Sequence, residues 1–201
     1  KTARKGCGEF EMTITGVPAH AGVDPTKGAS AILELAHQVL ALHALRDLDR
    51  GVSVNTGVVE GGSRPNVVAE RSRARIDVRA PTMADAARIE GSIRALRPQV
   101  PGTSIEVRGG FERPPLERSA GVAALFSKAH AVAAELGFEL REGSTGGGSD
   151  GNFTAALGVP TLDGLGAVGD GAHAIHEHVE RASLVTRAAL VAGLIDRIVS
   201  A

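Results

Sequence analysis

Residues 171–180 read "GAHAIHEHVE", three histidines and two glutamates within ten positions. Imidazole and carboxylate are zinc donors, and a zinc site needs about four donors converging on one point. On a helix, His173 and His176 share a face and His178 does not. On a strand, His176 and His178 share a face and His173 is excluded. No regular backbone turns all three toward one ion, and the strict His-x-His-x-His alternation of some nucleotide hydrolases is missing. At most one or two of these residues are ligands; the rest read as solvated surface.

Other stretches also hold chemistry-bearing residues. "GLGAVG" spells GxGxxG at Gly164, Gly166 and Gly169. That fingerprint must open a helix inside a βαβ unit; here more glycine and the histidine cluster follow, so dinucleotide binding is rejected. In "TGGGSDG", Thr145 to Gly151, successive glycines let backbone N–H groups approach a ligand, and Asp150 then starts a helix whose N-terminus favours anions. A plain flexible loop with Asp150 as N-cap fits equally well. His20 stands between small residues in "TGVPAHAGVDP", where a lone histidine is usually just exposed. Asn66 opens a strand in "SRPNVVAE" and Arg79 ends it in "IDVRAP". A turn cap and a surface arginine are their bland readings.

The elements that must position these groups follow from periodicity. "EFEMTITG" alternates Phe10, Met12 and Ile14 with polar neighbours, the pattern of a strand with one buried face. Asp24 and Pro25 then signal a helix start, and the spacing predicts burial of Ile32, Leu33, Ala36, Val39 and Leu40 with His37 off the stripe. "GVSVNTGVVEGG" and "NVVAERSRARIDVRA" read as strands, residues 82–97 as a helix burying Ala86, Ile89, Ile93 and Leu96, and "TSIEVRG" as a fourth strand. This β-α-β-β-α-β order is the ferredoxin-like pattern, four antiparallel strands backed by two helices.

Beyond the Pro/Gly-rich joint "GGFERPPLE" the pattern changes. A long helix is striped by Val122, Leu125, Phe126, Ala129, Val132, Ala133 and Leu136, and a last helix by Leu184, Val185, Ala188, Ala192, Ile195 and Val199. Between them "FELRE" and "GVPTLD" are expected as short strands, with a helix from Asp150. So few strands cannot make a sheet that covers these stripes. The stretch reads as one piece of an α/β domain whose other strands lie elsewhere.

Composition bounds the function. The chain has 201 residues, 43% apolar and 22% charged, ordinary values for a globular protein. A net charge of −1, no Trp or Tyr and 5 Phe supply neither the basic footprint nor the stacking surface for nucleic acid. One cysteine, Cys7, excludes an internal disulfide framework and fits a reducing, cytoplasmic compartment. It has no histidine close in sequence and reads as a bland thiol. No apolar run approaches membrane-spanning length, and no charged-then-apolar leader is present. An opening Lys1 in place of Met points to a natural beginning further upstream.

In order and spacing, "VPAHAG", "GGSRPNVVAE", "ARIDVRAP", "TGGGSD" and "GAHAIHEHV" together resemble the C-terminal part of the dizinc exopeptidases related to glutamate carboxypeptidase, acetylornithine deacetylase and aminoacylase. The resemblance covers essentially the whole chain. It implies a ferredoxin-like α+β lid, residues 9–110, inserted in an α/β zinc-exopeptidase domain. Residues 1–8 and 111–201 would then be the only parts of that domain present. By this likeness His173 is one zinc ligand, with His176, Glu177 and His178 at non-ligand positions. The remaining ligands of the two zinc ions, and the general base, would belong to a portion before the lid. His20 would be the catalytic residue that stabilises an oxyanion across a homodimer. Asn66 and Arg79 would hold a substrate carboxylate, with Gly146, Gly147 and Gly148 offering backbone donors. The implied reaction is cleavage of an amide next to a carboxylate-bearing amino acid, in a small peptide or N-acyl amino acid, with this fragment inactive alone. The alternative is a non-catalytic dimerisation or binding module derived from the same family.

Overall fold

Alternation builds the first sheet. In β1 (Gly6–Thr15) the side chains of Phe10, Met12 and Ile14 are fully buried, while Glu9 and Thr15 on the opposite face are exposed. The partners repeat the rule: Val54 on β2 (Ser53–Gly61), then Ala74, Ile76 and Val78 on β3 (Arg71–Ala80), point to the same core. β4 (Ser104–Arg113) completes an antiparallel sheet of order β2-β3-β1-β4. Two helices, α1 (Ala31–Ala44) and α2 (Met83–Arg94), add Ala31, Leu35, Leu42, Ile89 and Ile93 to that core. Phe10 meets Phe111 edge to face, with centroids 6.3 Å apart. Both helices are capped by hydroxyls: Ser30 Oγ accepts from the Leu33 N–H at 3.2 Å, and Thr82 Oγ1 from the Asp85 N–H at 3.0 Å.

The computed structural model describes residues 1–200 and divides into two units. The sheet and its helices make Lys5–Pro115, joined by Gly146–Gly148. It is the expected β-α-β-β-α-β arrangement, with β1 starting at Gly6 and β4 running on to Arg113.

One face was read the wrong way. Ile32, Leu33 and Leu40 of α1 are exposed, and the helix instead buries Ala31, Glu34, Leu35, Gln38 and Leu42. Apolar residues surround most of α1, so periodicity offers two faces, and a polar group selects between them. The fully buried Glu34 carboxylate accepts N–H bonds from Val100 at 2.6 Å and Gln99 at 2.8 Å. It also accepts from Gln38 Nε2 at 2.5 Å and Thr103 Oγ1 at 3.3 Å. The connection into β4 is therefore tied to α1 through one carboxylate. α2 follows expectation, burying Ala86, Ile89 and Ile93, with Leu96 packed just beyond its end.

The second unit comprises Lys1–Arg4, Leu116–Thr145 and the chain from Ser149 onward. Helix α3 (Ala120–Glu135) packs on α5 (Arg181–Val199) through Ala129, Val132, Ala133, Leu190 and Leu194. Gly193 permits the close approach, because a Cβ there would lie 2.8 Å from Val132 Cγ1. A short α4 (Gly151–Ala156) follows the glycine run. The strands are two-residue pairs: Ala3–Arg4 parallel to Ser144–Thr145, and Gly169–Asp170 antiparallel to His178–Val179. Three expectations fail here. "FELRE" and "GVPTLD" form no strand, since neither has a ladder partner among the described residues. Leu136 is exposed just past α3. The predicted stripe of α5 is also the open one: Leu184, Val185, Ile195 and Val199 are exposed, and the helix buries Ser183, Leu190 and Leu194.

Burial alone would raise the Glu34 carboxyl, but the Val100, Gln38, Gln99 and Thr103 donors outweigh it and hold its pKa below the ordinary value. A depressed carboxylate contributes stability that is complete above its unfolded pKa, about 4.3, and is lost as pH falls through the lower folded value. Glu34→Gln puts amide donors against backbone donors and should cost about 2 kcal/mol at neutral pH. Urea titrations at a series of pH values should show the gap to wild type closing below pH ~4. A gap unchanged down to the acid limit would refute the tie.

Candidate functional site

At one end of the sheet the β1–β3 pairing continues past its regular ladder. Val68 donates its N–H to Ala19 O at 2.9 Å, Ala21 donates to Asn66 O at 3.0 Å, and His20 bridges to Val67. His20 and Asn66, both exposed, are thereby brought side by side by backbone bonds.

The other end is basic. Cys7, half-buried at the start of β1, lies opposite Arg79 on one side and Arg113 on the other. Asp77 grips Arg79 with both oxygens, Nε to Oδ1 at 2.9 Å and Nη2 to Oδ2 at 2.6 Å, while Nη1 donates to Cys7 Sγ. A guanidinium has more N–H groups than these three, so both Nη atoms keep a donor for a further acceptor. The glycine run comes close here. A Cβ on Gly148 would lie 2.9 Å from Cys7 Sγ and 3.1 Å from Arg113 Cδ, whereas one on Gly146 would meet open space. Sequence reading passed over Arg113 as part of a joint. Only the register that sets it opposite Cys7 reveals it, and nothing in "FERPPLE" encodes that register.

The two ends are far apart. From Cys7 to Thr15 the strand advances eight residues, roughly 25 Å at the usual rise, and His20 lies beyond. Asn66 therefore joins His20, and the two expected carboxylate clamps, Asn66 and Arg79, do not converge within one copy.

His173 belongs to the second unit. Among the described residues it is the one non-glycine at positive φ, 67°. The two-residue pair on either side closes a tight loop: Gly171 also sits at φ 75°, and a Cβ there would be 2.7 Å from His176 Cδ2. The His173 N–H faces Glu177 Oε2 at 3.4 Å, and His178 Nδ1 faces the His176 carbonyl at 3.1 Å. Such backbone strain persists only where the surroundings hold it, and it gathers at functional positions. Zinc asks for about four donors. No three of the His, Cys, Asp or Glu side chains among the described residues come together to hold a metal. These residues do not build a zinc site by themselves. After Gly164–Gly169 comes a two-residue strand and a turn, not the helix that a dinucleotide fingerprint requires.

The fold and these positions agree with a family model, the peptidase dimerisation domain of the M20 peptidases, which matches residues 2–102. The chain belongs to the M20 family. Across its length it is similar to carboxypeptidase G2 of Pseudomonas sp. strain RS-16, 29% identical over 194 residues, covering 94% of this chain and 47% of that protein. A shorter stretch of 72 residues is 40% identical to the p-aminobenzoyl-glutamate hydrolase of Escherichia coli K12, 35% of this chain and 16% of that one. The solved structure of aminopeptidase PepT from Bacillus cereus ATCC 10987 superposes with a TM-score of 0.81 at 25% identity, covering 98% of this chain and 53% of that one. This M20 chain thus spans about half the length of the relatives it matches end to end. No described helix is long and apolar enough to cross a membrane.

Left-handed backbone costs an L-residue about 1–2 kcal/mol and glycine almost nothing. His173→Gly should therefore be more stable to urea than His173→Ala by about 1 kcal/mol. Equal stabilities would mean that His173 is not held under strain.

Proposed function

We propose that this chain carries the substrate-holding and dimer-forming parts of an M20 hydrolase that cleaves an amide next to a carboxylate-bearing amino acid, glutamate foremost. The observation that carries the reading is the separation of the two ends of β1. A guanidinium already oriented by Asp77 suits a substrate carboxylate. An exposed imidazole suits the oxyanion of an amide under attack. Roughly 25 Å apart, they cannot meet one substrate within one copy, so His20 and Asn66 serve the site of a second copy.

A second copy has a surface to use. β2 is an edge strand, with Val58 and Val59 exposed on it and Ile32 and Leu33 exposed on α1. The names of carboxypeptidase G2 and p-aminobenzoyl-glutamate hydrolase point the same way for substrate class. Gly146, Gly147 and Gly148 would present N–H groups beside the Arg79 end. In the family reading His173 supplies one zinc ligand, and the rest of the shell must come from residues other than these. A reducing, cytoplasmic setting is part of the proposal and rests on the lone Cys7.

The test uses full-length, metal-loaded protein and N-acyl-glutamate substrates. His20→Ala should lower kcat by roughly 10²–10³-fold with little change in KM, and Arg79→Ala should chiefly raise KM. Mixing the two inactive variants is decisive. In a two-fold dimer one hybrid site regains both groups, so exchange of protomers should restore about a quarter of wild-type activity. No recovery on mixing would put both residues in one copy's site and end the shared-site reading. Absence of turnover by the wild type would favour a non-catalytic dimerisation module.

A further inference from the structure

We infer that the Gly22 backbone N–H holds His20 in the Nε2-protonated tautomer, which makes the exposed Nε2–H a hydrogen-bond donor and not a metal ligand or a base. The Gly22 N–H lies 3.1 Å from His20 Nδ1. A backbone amide can only donate, so Nδ1 must present its lone pair, and the single proton of a neutral imidazole is left on Nε2. The backbone on both sides is pinned, which keeps the ring in place. His20 O accepts from the Val23 N–H at 3.2 Å and the Asp24 N–H at 3.0 Å, and its neighbours Ala19 and Ala21 bond to Val68 and Asn66. His178 shows the opposite case within the same chain. Its Nδ1 faces the carbonyl of His176 at 3.1 Å, an acceptor, so there Nδ1 carries the proton and Nε2 the lone pair.

The consequence for chemistry is specific. An Nε2–H can stabilise a developing negative oxygen, which needs a donor already in place. It cannot accept a proton from water or bind a cation without first exchanging tautomers. Gly22 is then a positioning residue acting through its amide and not through its lack of a side chain. A Cβ at position 22 would meet His20 Cε1 at 3.6 Å and Nδ1 at 3.8 Å, ordinary contacts. Gly22→Ala therefore keeps the N–H, and Gly22→Pro removes it.

This deepens the proposed role of His20 as an oxyanion donor, but its test is independent of activity. The 201-residue chain, labelled with ¹⁵N, is observed by NMR at about pH 8, above the ordinary histidine pKa of about 6.5. His20 should show the Nε2-protonated pattern and a ¹⁵N–¹⁵N coupling through the hydrogen bond from the Gly22 amide to Nδ1. His178 supplies a reference for the other tautomer in the same spectrum. Gly22→Ala should retain the coupling and Gly22→Pro should lose it. An Nδ1-protonated His20, or no coupling in the wild type at that pH, overturns the inference. If the coupling is present and His20→Ala leaves kcat unchanged, the oxyanion role falls and the tautomer assignment stands.

Discussion

The antiparallel pairing of β1 with β3 and β4 sets the position of every group the Lys5–Pro115 unit could use in chemistry. Each step along β1 reverses the side-chain direction. A slip of one residue would send Phe10, Met12 and Ile14 into solvent, at about 1.5–3 kcal/mol each. Burial therefore fixes the register, and the register in turn fixes which residues flank Cys7. Arg79 and Arg113 stand on its two sides because the core on the other face allows no alternative. The same ladder, continued beyond Thr15, ties His20 to Asn66. The length of the strand then divides the chemistry into two groups that no local rearrangement can bring together.

Of the arginines along the outer face of β3, the pairing singles out one. Arg73 reaches Glu60 at 2.8 Å and Glu11 at 3.6 Å across strands, and Arg75 pairs with Glu9, all with side chains about half exposed. Exposed pairs of this kind contribute little and leave long side chains mobile. Arg79 is less exposed, at 34%, and its planar fork is gripped by both oxygens of Asp77 two residues earlier on the same strand. A pre-oriented guanidinium loses less freedom on meeting a carboxylate, which favours recognition over surface solubility as its purpose.

How much of this the sequence revealed depended on whether a pattern had one solution or two. Strict alternation in β1 and β3 has one, and both strands and their buried faces were legible. The face of α2, with polar residues opposite Ala86, Ile89 and Ile93, was equally plain. α1 had two solutions, and the choice rested on Glu34, whose role depends on the backbone N–H groups of Gln99 and Val100, more than sixty residues away. For the site, His20, Asn66, Arg79 and the glycine run were marked by residue type and order. That His20 sits with Asn66 while Arg79 sits with Arg113 required the register. His173 was marked by its motif, but its left-handed backbone leaves no trace in composition.

α5 failed for a different reason, and the failure is informative. Its predicted stripe of Leu184, Val185, Ala188, Ala192, Ile195 and Val199 is a genuine helical face, yet the seam with α3 runs along Leu190 and Leu194 instead. A helix apolar on two sides is suited to a place between two layers. The α3 seam accounts for one side. The other leaves Leu184, Val185, Ile195 and Val199 open to solvent beside strands only two residues long. Aliphatic surface of that extent on one helix face fits a second packing layer that this unit does not contain. The periodicity read from the sequence thus recorded a real packing surface, one whose opposing layer is not among these residues.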